Sequence, residues 1–446
     1  HHPGALYPHG TVVPHPFPLP PLQALLHVPF VLGGAGDLRG PRVLSALILV
    51  AILGAIYVLG RRAGASRLLA CVAAATLLAP LGDSFWLVLT RVDGLMIALL
   101  AWAAVVGLPR ELRRGADVLS LGRALATASL LVLACLAKPS AVLHGAPLLL
   151  VWALVDVRSL SKLGAATVVL GVAVAGALDL ATHGGFLESN RLWLGQGQVP
   201  GQLAQYGRLF VETHAPLMLA VAVLVVVAWR RGAHPLRDPT WALYVAGAVG
   251  LAMLGKFGAW TSYLLLWVVA HAVLVGRLGR GRETLALGLA SLAILAAIAR
   301  FQFPVPTAQN RASAAFVAGF VRARGGPILA SKLESLYAAV GQDEEIESDG
   351  LVFLMRAHAP GIERIFARLG ERHYRTVVVH PHGLPLVAMR ILASQYSLVG
   401  ICDIGFWHAT YRYALWVPRD EAAKVDFTPP PDAACARAPA ERPASR

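Results

Sequence analysis

A few charged residues interrupt long apolar runs, and their types and spacing define the chemistry open to this chain. Asp83, Arg91 and Asp93 fall in LGDSFWLVLTRVDGL, Lys138 in LAKPSAVLHGAP, and Lys256 in GKFGAWTSYLLLW. Charge at membrane depth is costly and marks a functional candidate by default. Pro139 follows Lys138, and proline is favoured at the first position of a helix. A helix start with a lysine beside it attracts anions, through its N–H groups and the positive end of its dipole. Lys256 stands similarly, just before an apolar run that opens near Trp260. Two such cationic corners at one surface suit a lipid phosphate; the plainer alternative is that both lysines snorkel to headgroups.

Asp93 is two residues from Arg91, and helical positions i and i+2 do not face each other. Its carboxylate is therefore a candidate base or cation ligand, against the plainer role of a helix-start acid that favours the dipole. Arg91 joins the two lysines as a candidate phosphate contact. Tyr263 lies seven residues after Lys256, on the same face if that stretch is helical, and would line the same cavity unless it is a core aromatic. The segment 183–213 holds Glu188, Asn190, Arg191, Trp193, Gln196, Gln198, Gln202, Gln205 and Tyr206. Amides with aromatics suit sugar hydroxyls and ring faces, although an amphipathic surface helix has the same composition. His9, His15, His380 and His382 lack ligand spacing with acids or cysteines and read as loop residues. The four cysteines, Cys71, Cys135, Cys402 and Cys435, show no CxxC spacing and suggest neither zinc nor a redox motif. Cys71 and Cys135 sit in apolar runs as packing residues.

The elements that must position these groups are membrane helices. The chain is 57% hydrophobic and 14% charged with mean hydropathy +0.62, against about 25% charged residues in a soluble domain. Apolar runs fall at about 41–60, 66–82, 89–108, 121–137, 139–155, 162–182, 214–229, 239–255, 260–276 and 283–300, of a length that suits a bilayer core. A shorter piece from Leu22 to Leu32, broken by Pro29, reads as an interfacial or re-entrant helix. Arg61, Arg62 and Arg67; Arg110, Arg113 and Arg114; Arg158 and Lys162; Arg230, Arg231 and Arg237; and Arg277, Arg280 and Arg282 occupy alternate loops. That alternation assigns those loops to the cytoplasm. The opposite side then carries Asp83, the Lys138 and Lys256 corners, the segment 183–213 and everything after Arg300. The net charge of +14 thus reflects a positive-inside bias, and no nucleic-acid partner is expected.

The resulting expectation is a polytopic α-helical membrane protein of about ten transmembrane helices. Residues 1–40 form part of an external loop with a juxtamembrane helix, and 41–300 the transmembrane domain. Residues 301–420 alternate strand-like and helix-like stretches (PILAS, GIERIFARLGERH, TVVVH, YRYALWVP), which predicts a small extracytoplasmic α/β domain. Residues 421–446, rich in Pro, Ala and Arg, read as a disordered tail. The abundance of Ala, Gly, Leu, Val and Arg suits a GC-rich bacterium and hence its inner membrane.

Taken together, these stretches resemble the GT-C superfamily of integral membrane glycosyltransferases, in particular its protein O-mannosyltransferase and lipid A aminoarabinose transferase branch. GALYPHGTVVPHPFPLPPLQALL followed by GPRVLSALIL resembles the end of that family's first external loop. TRVDGLMIALLAWA resembles the helix that opens with an external aspartate, LAKPSAVLHGAPLLL its "K-G/P … P" helix start, and GKFGAWTSYLLLW a "K-x-G … Y" phrase of bacterial members. The resemblance implies transfer of a sugar from a polyprenyl-phosphate donor to an acceptor outside the cytoplasm, whether lipid, glycan or protein. Asp93 would be the second acidic residue of the active site, and Lys138 a contact of the donor or lipid phosphate. A divalent cation, Mg or Mn, is a candidate cofactor. The resemblance also puts the leading catalytic acid and a metal ligand upstream of His1, so activity is expected to depend on an upstream segment. Two rivals share the hydropathy: a carrier or flippase of lipid-linked precursors, and a non-catalytic membrane-anchored binding protein. A transporter would place charge near the midplane, and few acids or bases occur in the middle of any run.

Overall fold

The computed structural model describes residues 21–31, 39–78, 92–115, 117–194, 197–232, 234–256, 259, 261–278, 289, 293, 307–331, 333–342, 355, 363–380, 383–406 and 409–438. Helices occupy the expected apolar runs wherever these are described. They are α1 (Leu22–Val31), α2 (Arg39–Arg62), α3 (Arg67–Ala75), α4 (Val92–Gly107), α5 (Leu121–Ala137), α6 (Ala141–Val155) and α7 (Val157–Ala181). After them come α8 (Gly185–Leu194), α9 (Gln202–Arg230), α10 (Trp241–Ala248), α11 (Gly250–Met253), a 3-10 turn (Thr261–Leu264) and α12 (Leu265–Leu278). The run at about 283–300 lies almost wholly outside the described residues, as do Asp83 and Arg91.

Side-chain caps explain several starts. Ser66 accepts from the Leu69 N–H, Ser120 from Arg123, and Asp156 from both Arg158 and Ser159. Each satisfies N–H groups that the first helical turn leaves open. Among the described residues, four helices are long and apolar enough to cross a membrane: Gly40–Arg62, Val157–Ala181, Gln202–Arg230 and Thr261–Leu278. Val92–Gly107, Leu121–Ala137, Ala141–Val155 and Trp241–Met253 are apolar but shorter. At 1.5 Å per residue such helices reach about 20–26 Å, short of the roughly 30 Å hydrocarbon core.

Burial sorts the bundle into a centre and a rim. The most apolar window of Thr261–Leu278 is 83% buried, whereas that of α7 is 6% buried. Helices α4 and α12 form the centre, with α2, α5, α10 and α9 against them. Small residues permit the closest approaches, as membrane packing favours. A Cβ on Gly247 of α10 would stand 2.4 Å from the Trp267 Cα, and one on Gly250 would stand 2.2 Å from the Tyr263 carbonyl oxygen. Exposed Val168, Val169 and Val172 on α7, and Val43, Leu47 and Val50 on α2, give the rim an apolar surface.

The C-terminal part is an α/β unit: α13 (Ala308–Arg324), β1 (Ile328–Ala330), α14 (Glu334–Val340), α15 (Glu363–Gly370), β2 (Thr376–Val379), α16 (Leu386–Gln395), β3 (Tyr396–Phe406), β4 (Ala409–Pro418) and β5 (Cys435–Arg437). The sheet order is β1-β2-β4-β3-β5, with β1 and β2 parallel and the other pairs antiparallel. Alternation along the strands feeds two cores. Leu329, Val377 and Val379 pack with Ile365 and Leu392 on one face. Ile328, Ala330, Val378 and Leu415 pack with Val317, Val321 and Phe427 on the other.

The disordered tail expected over 421–446 is corrected up to residue 438. Phe427 is buried, its ring lying where a Cβ on Gly400 would come within 2.1 Å, and β5 pairs with β3 through Cys402 and Cys435. Those two cysteines form a disulfide. Composition misled here because strand pairing and one buried ring outweigh a polar, proline-rich average. Residues 439–446 lie outside the described residues.

Candidate functional site

Three of the singled-out residues meet at one end of the bundle. Asp93 opens α4 and is 1% exposed. Lys138 ends α5 with extended backbone, its N–H donating to the Ala134 carbonyl. Its ammonium donates to Asp93 Oδ1 at 2.7 Å. The same Nζ lies 3.6 Å from the centroid of the Tyr263 ring, a cation–π geometry that strengthens when water is excluded. An aspartate, a lysine and a tyrosine from three separate elements thus form one buried cluster.

Two sequence expectations change in detail. Asp93 is held by Lys138, 45 positions away, so its carboxylate is already engaged by an ammonium. The anion site expected on the helix start after Pro139 is also corrected. Helix α6 begins at Ala141, and the N–H groups of Ala141, Val142 and Leu143 bond to the carbonyls of Lys138, Pro139 and Ser140. Any anion at this corner therefore relies on side-chain ammonium groups.

Lys256 is 6% exposed and lies in the corner between α11 and the 3-10 turn. It pairs as an isolated bridge with Gln198, and the Val199 N–H donates to the Gly255 carbonyl at 2.7 Å. The Gln202 side-chain amide donates to the Leu254 and Lys256 carbonyls, 2.7 Å each. The polar segment after α8 is thereby stitched onto the Lys256 corner, a role that its amide composition alone did not define. Burial, and then the charge of Lys138, lower the Lys256 pKa to about 8. That mutual influence puts the two lysines within electrostatic reach of each other. Tyr263 does not follow Lys256 on one helical face: the 3-10 turn breaks the register and turns its ring to Lys138.

His144 is a neighbour that sequence reasoning passed over. It is fully buried on α6, donates from Nδ1 to the Ala246 carbonyl at 2.6 Å, and leaves Nε2 without a hydrogen-bond partner. It feels the charges of both Lys138 and Asp93. Its available signal was a histidine six residues after Lys138 inside an apolar helix. Arg91 lies outside the described residues. Among the described residues, no group of three or more His, Cys, Asp or Glu is arranged to hold a metal ion.

No family model and no curated protein matches the sequence. Among solved structures, a crystal structure of ArnT from Cupriavidus metallidurans bound to undecaprenyl phosphate is similar over 89% of this chain and 87% of that chain. The two share 14% identity, with a TM-score of 0.39.

Proposed function

We propose that this chain is a membrane-embedded glycosyltransferase of GT-C type that moves a sugar from a polyprenyl-phosphate donor to an extracytoplasmic acceptor. The observation that carries the reading is the buried Asp93–Lys138–Tyr263 cluster with Lys256 in electrostatic reach. Two ammonium groups beside one carboxylate favour an anion, and the apolar helices around them suit a lipid-borne one. Incoming phosphate competes with Asp93 for the Lys138 ammonium. A carboxylate released in this way takes the proton from an acceptor hydroxyl. The acceptor oxygen then bonds to the anomeric carbon as the bond from that carbon to the phosphate oxygen breaks. The leaving lipid phosphate keeps the electron pair, and Lys138 and Lys256 offset its charge.

The site faces outward in this reading, opposite the arginine-bearing loops. The Cys402–Cys435 disulfide supports the same side for the α/β unit, because structural disulfides persist in oxidising compartments. The test is transfer of labelled sugar from polyprenyl-phosphate hexose or pentose donors by the protein in liposomes. Transfer that falls at least a hundredfold in Asp93→Asn, with donor binding retained, supports the enzyme. Movement of lipid-linked sugar across the bilayer without transfer supports a carrier instead. Unchanged turnover in both Asp93→Asn and Lys138→Met removes this site from the mechanism.

A further inference from the structure

The opposite end of the bundle carries a second charged feature. Helix α4 carries Asp93 in its first turn and ends at Gly107, so the two ends are about 20 Å apart. Where α4 ends, two adjoining cavities of about 440 Å³ and 570 Å³ open between the loops, sharing Arg110, Pro239 and Arg277. Arg231 and Arg237 line the first, and Arg62 and Arg123 the second.

These arginines divide into two groups. Arg277 is committed to Asp238, its Nε donating to the two carboxylate oxygens at 2.8 and 2.7 Å. Arg62 donates to the Val105 carbonyl, and Arg123 to the Val106 and Leu108 carbonyls and to Asp117. They fasten helix ends and build the walls. Arg110 and Arg237 have no side-chain hydrogen bond or ion pair among the described residues, although both face the cleft. Glu111 is the one acid in the lining besides Asp238, and its contact with Arg113 is a long, exposed 4.0 Å. The floor is apolar: Leu59, Ala104, Val105 and Leu108 in one cavity, Val227 and Ala228 in the other.

We propose that this arginine cleft binds a phosphate group, supplied by the headgroup of an anionic membrane lipid. A positive-inside bias requires arginines in these loops but does not require them to converge on a cavity. Guanidinium groups recognise phosphate through paired N–H donors. An apolar floor beneath a basic rim, at the level where helices leave the bilayer, matches an amphiphile better than a free anion. The inference is independent of the sugar-transfer reading, since it shares no residue with the Lys138 site.

The test uses the full chain in nanodiscs of phosphatidylcholine with a minority of phosphatidylglycerol, counting retained lipid by native mass spectrometry. Arg110→Gln with Arg237→Gln should lower phosphatidylglycerol retention at least about tenfold. Arg114→Gln with Arg158→Gln removes equal charge from the arginine-bearing side of the bundle outside the cleft and should change it less than about twofold. Glu111→Gln should raise it, which supports the cleft even if the double variant folds poorly. Equal losses in the two double variants, with no gain from Glu111→Gln, would overturn the cleft in favour of diffuse surface charge. Inorganic pyrophosphate that binds in pure phosphatidylcholine nanodiscs and displaces phosphatidylglycerol would overturn the lipid source.

Discussion

The ion pair between Asp93 and Lys138 joins two residues whose individual positions are legible in the sequence but whose partnership is not. Each stands out because it is a charge at the edge of an apolar run; nothing in a 45-residue separation announces a 2.7 Å contact. Buried pairs are hard to break and easy to replace. Removing one partner leaves an uncompensated charge and costs about 3–5 kcal/mol, whereas neutralising both is often near neutral. Asp93→Asn and Lys138→Met should each lower the melting temperature, and the double variant should regain most of the loss while remaining inactive. Recovery of transfer along with stability would make the pair a structural fastening only. Lys256 supplies a pH dependence. An ordinary lysine stays charged to about pH 10.4, but this one is lowered to about 8 by burial and by the neighbouring Lys138. It is cationic below that value and neutral above, so affinity for a phosphate headgroup should weaken as pH rises from 7 to 9. Lys256→Arg, always charged, should flatten the profile in a lipid-binding titration.

Among the elements, the helices before residue 279 were readable from apolar run length, and β1, β2 and β4 from short strand-like stretches, while β3, β5 and α13 were not. The 3-10 turn at Thr261–Leu264 was not, because its sequence continues an apolar helical pattern without proline or glycine. A tight neighbour lies against it. Gly250 lets α11 lie against the Tyr263 carbonyl, where a side chain would come within 2.2 Å. Gly250→Ala should displace the turn and with it the ring under Lys138. We expect it to reduce transfer at least tenfold although residue 250 meets no substrate. Near-normal activity with intact stability would show that the turn tolerates the shift. Gly247→Ala, which drives a Cβ against the Trp267 backbone, should instead separate α10 from α12 and lower yield of folded protein.

At the scale of the whole molecule, the membrane class and an α/β unit after the last apolar run follow from hydropathy and pattern. The closure of that unit does not, because Cys402 and Cys435 lie 33 residues apart with no diagnostic spacing and a proline-rich stretch between them hides Phe427. Closing a loop of that length contributes about 3–4 kcal/mol in the chain-entropy picture. On the outer side proposed for the unit, a membrane-impermeant maleimide added to intact cells should label these cysteines only after reduction, and double Cys→Ser should lower the melting temperature of the unit. Labelling without reductant would mean that the bridge is not formed.

Helix α7 offers a different lesson. Its apolar length is almost all rim, and it is anchored near its start by Asp156 and by Ser159, whose hydroxyl accepts from the Leu119 N–H. Added Cβ atoms at Gly164 and Gly176 would touch nothing within 4 Å, and one at Gly171 would make only ordinary contact with Val132. Its outward face demands only greasiness, whereas Leu163, Ala166 and Leu170 pack inward. Over evolutionary time that outward face should drift freely among Ala, Val, Leu and Gly while α4 and α12 stay nearly frozen. In a saturation library it should appear as a permissive stripe, interrupted at the inward positions and at the two ends.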